Sequence, residues 1–502
     1  MCIRDRHRSI KNSDITGSGF TNDLLPNLQG ATQIDEFLEL ETERNKIGYF
    51  GRVNYAYQDK YLVSASLRRD ASSVFGPENK WGTFPAASIG WNLAREDFID
   101  DNGPISSLKF RFSYGLTGNE NFRTGSTFTD FFPFLALLQS ANTVLGGTVQ
   151  TGFAPENIAN ESLKWEGNEE INPGLDFGFW GNRLTGSLDW YRRTSNDLLL
   201  NNPVSNGTGF GTGILNIGEV KNTGVELELR SVNYTKGDFA WSTQLIATTN
   251  QNELTEFGDS NGQLIEDFSG RGSLWINEIG NPISSFYGFV LDESREIPFE
   301  FWDTPFNRIG GASEDVIVLD LNGDGIITAA DQTILGDPYP DLVWSVTNQL
   351  QFGSVDFSFM WTGSHGAEVR DLGEELFENQ FNGATENVPG LLETGLIPHP
   401  SFIQKRSITS DPIRNASFVS LRNVNLGVNL SSAIPNLREK MGVNNVRVYV
   451  SGQNILYIFA DDYKGFNPEF VDNNQRQVNA FGAQRGGSPI ARTFTFGLNF
   501  DF

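Results

Sequence analysis

The run Arg492-Thr493-Phe494-Thr495-Phe496-Gly497-Leu498-Asn499-Phe500-Asp501-Phe502 alternates without a break. Successive side chains of an extended strand point to opposite sides, so Phe494, Phe496, Leu498, Phe500 and Phe502 share one face. Thr493, Thr495, Gly497, Asn499 and Asp501 share the other. The same grammar recurs at Phe110, Phe112, Tyr114 and Leu116 against Lys109, Arg111 and Ser113, and at Val446, Val448 and Val450 against Arg447, Tyr449 and Ser451. Period-two patterning over most of the chain, with 53 Gly, 40 Phe, 12 Tyr and 10 Trp, predicts an all-β protein.

Two architectures fit one apolar and one polar face. In a soluble sandwich the polar face meets water; in a membrane barrel the apolar face meets lipid and the polar face lines a wet lumen. Alternation alone leaves both open, and the connections decide. Thirteen strands are expected near 47–57, 61–70, 83–93, 108–116, 169–180, 184–196, 223–231, 239–250, 342–352, 355–363, 417–430, 446–454 and 491–502. The connections at 58–60, 181–183, 232–238 and 353–354 are tight, and those at 94–107 and 431–445 moderate. Between them come 71–82 and the longer 117–168, 197–222, 251–341, 364–416 and 455–490. Short turns at one rim and long loops at the other are the pattern of an outer-membrane barrel. With the long loops outside the cell, parity leaves Phe502 at the periplasmic rim. Thirteen is odd, so at least one upstream strand is expected to be absent. Near Leu421–Val424 the alternation slips a phase, which predicts a bulge around Arg422-Asn423.

Composition excludes other classes. The chain has 62 acidic and 37 basic residues, a net charge of −25, which argues against a nucleic-acid partner. A single cysteine, Cys2, forms no internal disulfide, and His7, His365 and His399 are too scattered for zinc. The most apolar stretch, 131–155, is interrupted too early for a transmembrane helix. Residues 1–8 carry a basic run and no signal-type apolar core, and read as a non-native start. Residues 9–46 read as an upstream barrel or extracellular-loop segment, and 47–502 as barrel with long loops at 117–168, 251–341, 364–416 and 455–490.

Several blocks resemble one family. They are Tyr49-Phe50-Gly51-Arg52-Val53-Asn54-Tyr55, Asp59-Lys60-Tyr61-Leu62, Arg68-Arg69-Asp70-Ala71-Ser72-Ser73-Val74-Phe75 and the segment Trp81 to Trp91. Collinear with these come Asn222-Thr223-Gly224-Val225-Glu226, Leu421 to Gly427, Tyr449 to Asn454, Asn467-Pro468-Glu469 and the terminal strand. Together they resemble the SusC/RagA family of TonB-dependent outer-membrane transporters of Bacteroidetes. The resemblance implies a transmembrane antiparallel barrel of about 22 strands, of which these would be the final set. It implies that the signal peptide, carboxypeptidase-like domain, TonB box and plug lie in a missing N-terminal part. It further implies a SusD-like surface lipoprotein and the TonB complex as partners, outer-membrane lipid as solvent, and glycans or oligopeptides as cargo. The rival reading is a soluble or surface-anchored β-protein serving as a glycan-binding or calcium-dependent interaction module. A surface hydrolase has only acidic loops in its favour.

The sharpest local motif is Asp320-Leu321-Asn322-Gly323-Asp324-Gly325-Ile326-Ile327-Thr328-Ala329-Ala330-Asp331. It has calcium-loop spacing: oxygens from Asp320, Asn322 and Asp324, Gly325 at the turn, the Ile326 carbonyl, Thr328 at the ninth position and a closing carboxylate at Asp331. Asp331 stands where Glu is usual, as in dockerin repeats, which shortens its reach. An acidic turn that holds no ion is the alternative.

Arg68, Arg111, Glu226, Glu228 and Arg230 fall on the polar face, as lumen charges or as cross-strand partners, and pairing is the favoured reading. Phe128, Phe131, Phe132, Phe134, Trp302, Phe377, Phe381 and Tyr463 lie in long loops, and small loop cores are favoured over sugar platforms. Trp91, Trp190, Trp241, Trp344, Trp361 and Tyr114 suit an interfacial girdle. No catalytic residues are assigned: nucleophile-elbow, phosphate-loop and zinc-protease patterns are absent, and Glu374-Glu375 are merely adjacent.

Overall fold

The computed structural model describes residues 2–20, 27–100, 103–121, 131–258, 260–266, 272–292, 318–373, 408–433, 445–469 and 481–501. Its main element is an antiparallel sheet of fourteen strands, each hydrogen-bonded to its sequence neighbour within the sheet. They are β1 (Cys2–Ser18), β2 (Gln33–Tyr57), β3 (Tyr61–Ser72), β4 (Trp81–Asn92), β5 (Ile105–Asn119), β6 (Glu166–Phe179) and β7 (Leu184–Asn196). There follow β8 (Glu219–Lys236), β9 (Phe239–Glu256), β10 (Leu342–Phe352), β11 (Val355–His365), β12 (Phe418–Asn429), β13 (Asn445–Phe459) and β14 (Thr493–Asp501).

Each of the thirteen expected segments overlaps a strand of this sheet, and β1 corrects the count to fourteen. Cys2–Arg8, set apart above as foreign to the fold, are part of β1, paired from Cys2↔Phe50 to Arg8↔Arg44. The strand at 47–57 is therefore paired on its upstream side as far as Phe50. Fourteen is even, so the odd-number argument for an absent strand falls away. β1 and β14 are the two ends of the sheet and do not pair with each other, which leaves it unclosed.

Register carries the alternation from strand to strand. Tyr234, Trp241, Leu350, Phe357, Leu426, Val450 and Phe496 are successive cross-strand partners from β8 to β14. One residue along, Ser242, Gln349, Ser358, Asn425, Ser451 and Thr495 form the matching polar row. The first half repeats this, with Tyr55, Val63, Ile89 and Phe112 against Asn54, Ser64, Ser88 and Ser113. The apolar row is uncovered: Phe496 is 68% exposed, Val450 and Leu426 each 48% and Phe112 38%. The remaining sheets are small, of two to four strands, and all lie in the long connections. The slipped phase is a bulge, with register shifts between Leu421 and Asn423 and between Met360 and Trp361.

Connections alternate between the two rims, with the one between β1 and β2 on the long side, but 73–80 on that side is shorter than 93–104 and 430–444 on the other. The tightest turns need left-handed backbone: Gln58 and Asp59 have φ of 51° and 52°, and Gly353 has φ 55°. Among the described residues no helix is long and apolar enough to cross a membrane.

Candidate functional site

The polar face is a wall of paired charges. Arg111 donates from Nε and Nη2 to Asp176 at 2.8–3.0 Å, and from Nη2 to Asp189 at 3.0 Å. Gly174 makes room for this cluster, since a Cβ there would sit 2.3 Å from Asp189 Oδ1 and 3.1 Å from Arg111 Cζ. Arg193 pairs with Glu170 at 2.6 Å, Arg68 with Asp70 at 2.8 Å and Arg447 with Asp356 at 2.5 Å. Glu228 accepts from Gln244 at 2.9 Å. Arg230 borders a cavity of about 480 Å³ on the same wall, and Glu226 lies in register with Asp189. Cross-strand pairing thus accounts for Arg111 and Glu228, while Arg68 pairs with Asp70 on its own strand. A larger recess of about 680 Å³ is lined by Arg52, Ser64, Ser66, Ser88, Glu170 and Arg193. Hydroxyls and paired ions in this density make a wettable surface.

On the long-loop side three connections are knitted into a cap. Strands Ser273–Glu278, Ser285–Phe289 and Gln332–Gly336 come from one loop, Glu368–Asp371 from the next, and Ala483–Gln484 from the last. Arg370 pairs in parallel with Ala483. Leu274, Trp275, Phe286, Leu372 and Ala483 form a buried core. The Arg370 guanidinium, itself fully buried, lies 6.0 Å from the Trp275 ring and 5.6 Å from Phe286, and donates to the Tyr287 carbonyl at 3.0 Å. A second core joins Val74, Phe75, Phe84, Leu163 and Trp165, and Phe134 packs against it. Tyr463 is buried with Val369 and Ala416. Phe134 and Tyr463 are therefore loop-core residues, and Phe131 and Phe132 are half-buried. Phe128, Trp302, Phe377, Phe381, Glu374 and Glu375 lie outside the described residues, as do His399 and Phe502.

Beneath the cap, where it meets the wall, lies a cavity of about 560 Å³ bordered by Val343, Thr362, Phe418, Tyr339, Glu368 and Phe481. Tyr339 and Phe481 stack there with centroids 6.0 Å apart. Burial drives the Glu368 carboxyl up to about 7. Arg422, at the bulge, donates to both oxygens of Glu469, at 2.8 and 2.6 Å, and also to the Tyr457 hydroxyl. Single-sequence reading missed Glu368 and this triad. The phase slip at Arg422 and the motif Asn467-Pro468-Glu469 were the available signals.

The loop 320–331 is held by its own backbone. Asp320 accepts from Gly323 and Gly325 at 2.7 and 2.8 Å, and Asp324 accepts from Ile326 at 2.8 Å. Buried Asp331 accepts from Leu321, Asn322 and Thr328, and these main-chain donors hold its carboxyl below the usual range. Asn322 accepts from Asp324, and Thr328 caps the turn through Ala330. Among the described residues no three Asp, Glu, His or Cys side chains converge on one point.

The expected girdle residues face the apolar side. Trp91 stacks on Tyr61 and Tyr61 on Tyr57 at the short-turn rim, where Glu96 accepts from Tyr61 and Trp91 at 2.7 and 3.0 Å. Trp344 donates to His365 at 3.0 Å near the opposite rim. Trp190, Trp241 and Tyr114 are 37–40% exposed, and Trp361 is half-buried.

Residues 6–312, more than half of the chain, match the family model described as TonB dependent receptor-like, beta-barrel. The chain belongs to the TonB-dependent receptor β-barrel family. It is 34% identical over 490 residues to TonB-dependent receptor P3 of Formosa agariphila, covering 95% of this chain and 47% of that protein. To TonB-dependent receptor SusC of Bacteroides thetaiotaomicron it is 31% identical over 479 residues, covering 92% and 44%. The solved RagAB peptide transporter superposes with a TM-score of 0.77 at 22% identity, over 100% of this chain and 53% of that one, and so shares the fold. The SusC/RagA resemblance is thus shown. The chain spans about half the length of the curated relatives it matches. The family is a receptor class, not an enzyme class.

Proposed function

We propose that this chain supplies barrel wall to a TonB-dependent importer of the outer membrane, taking up a glycan or an oligopeptide. The observation that carries this is the uncovered apolar row from Tyr234 to Phe496 with a polar row one residue away. A soluble sandwich would need a second layer over Phe112, Val448 and Phe496; among the described residues none packs there. The long loops then face outward and β14 descends to the periplasmic rim. The knitted cap offers a shaped surface to a SusD-like lipoprotein, and the TonB complex would engage from the other side. That the relatives include a SusC and a peptide transporter supports this class of cargo. The loop 320–331 is further proposed to take Ca²⁺ through Asp320, Asn322, Asp324, the Ile326 carbonyl, Thr328 and Asp331, on the strength of their spacing.

Cell fractionation tests the reading. The full-length protein is expected to sediment with outer membranes and to require detergent for extraction. Recovery in the aqueous fraction would overturn it.

A further inference from the structure

Five arginines of the polar face, Arg68, Arg111, Arg193, Arg422 and Arg447, are paired with carboxylates at 2.8 Å or less, whereas Arg52 and Arg230 on that face make no ion pair among the described residues. On the apolar face stand Arg69 and Arg192. Arg69 lies opposite Tyr49 in register, on the side of Val53, Tyr55 and Leu67. Arg192 shares its side with Leu188 and Trp190. Among the described residues neither makes an ion pair. Glu169, the acid nearest Arg192 in register, is engaged by Tyr114. Lys221, a third cation on this face, is matched by Glu253 at 3.1 Å.

Their height is informative. Tyr61 and Arg69 are separated by about 27 Å of strand, and Leu184 and Arg192 by the same. Barrel tilt reduces that to about 20 Å, close to the height of the lipid-facing band. Tyr57, Tyr61 and Trp91 mark its lower edge. At the upper edge Trp81 stacks on Tyr49, centroids 6.1 Å apart, and the Arg69 guanidinium lies 5.1 Å from the Trp81 ring centroid. A guanidinium at headgroup depth, spread on an aromatic face and free of carboxylates, presents its planar donors to whatever anion lies there. A chain of net charge −25 is repelled by an anionic surface, so cations held back from its own acids are what would let it sit in one.

We propose that Arg69 and Arg192 bind the phosphate groups of anionic lipids in the leaflet on the long-loop side. The proposal rests on the apolar face meeting lipid, which fractionation tests separately. Binding is read by native mass spectrometry of the full-length protein in maltoside micelles, offered phosphatidic acid or phosphatidylcholine. The unmodified protein is expected to prefer phosphatidic acid by on the order of tenfold. Arg69→Gln with Arg192→Gln should abolish the preference while membrane insertion persists. Arg69→Lys should keep part of it, and Lys236→Gln, in the opposite hairpin, all of it. Equal binding of the two lipids, or a preference that survives the double change, would overturn the proposal. So would complete displacement by millimolar inorganic phosphate, which would mark a free-anion site instead.

Discussion

The indole N–H of Trp275 donates to the main-chain oxygen of Phe481, 206 residues further on, at 3.0 Å. Trp275 is fully buried, so this bond and its packing tie the loop after β9 to the one before β14. Trp275→Ala removes both ring and donor, and the cap should lose about 3–5 kcal/mol of local stability. Hydrogen exchange would show it as faster exchange at Ser273–Glu278 and Ser285–Phe289, with β2–β5 unchanged. Unaltered exchange in those segments would mean that the loops do not act as one unit.

Gly174 and the Arg111 cluster should behave as a coupled set. Gly174→Ala places a methyl against Asp189, and the expected cost is about 1–3 kcal/mol. In an Asp189→Ala background the same change should cost markedly less, because the obstructing oxygen is gone. Denaturant midpoints of the four proteins measure this, and strict additivity would contradict the close approach.

Glu368 gives the cap a pH dependence of definite sign. Burial, with repulsion from Asp337, raises its folded-state value to about 7, against the ordinary 4.5. The folded state therefore holds a proton that the unfolded state releases between those values. Stability contributed by this group is full below about 4.5 and falls as pH rises toward 7. Glu368→Gln keeps an acceptor for the Asp337 N–H. It should stabilise the cap above pH 7, by on the order of 2 kcal/mol, and flatten its pH profile. Thermal scans from pH 4.5 to 8 that coincide for the two proteins would refute this.

The barrel wall was legible in the sequence because each strand carries its own signal: an apolar residue every second position, needing no partner to be seen. β1 was missed for the complementary reason. Arg4, Arg6 and Arg8 alternate there with Asp5, His7 and Ser9, so neither face is apolar and no hydrophobic period exists. The cap was illegible because its pairings are non-local: nothing near Arg370 announces Ala483 or Trp275. The Arg422 bulge was legible as a broken phase, whereas its Glu469 partner, outside the strands, was not.

The 320–331 loop separates metal binding from self-capping. Calorimetric titration with calcium should give a saturable heat that is lost in Asp320→Ala with Asp324→Ala. A flat trace for the unmodified protein would leave its carboxylates to the backbone N–H groups they already accept from.

Leu426 and its neighbour Asn425 offer the most direct test of which side lipid wets. In full-length protein with Cys2 replaced, reconstituted in vesicles, a nitroxide at each position reports collisions with oxygen, which partitions into lipid, and with a polar nickel chelate. The account predicts high oxygen and low nickel accessibility at Leu426, with the order reversed at Asn425. Nickel access at Leu426 equal to that at Asn425, or exclusion of both reagents from Leu426, would contradict it.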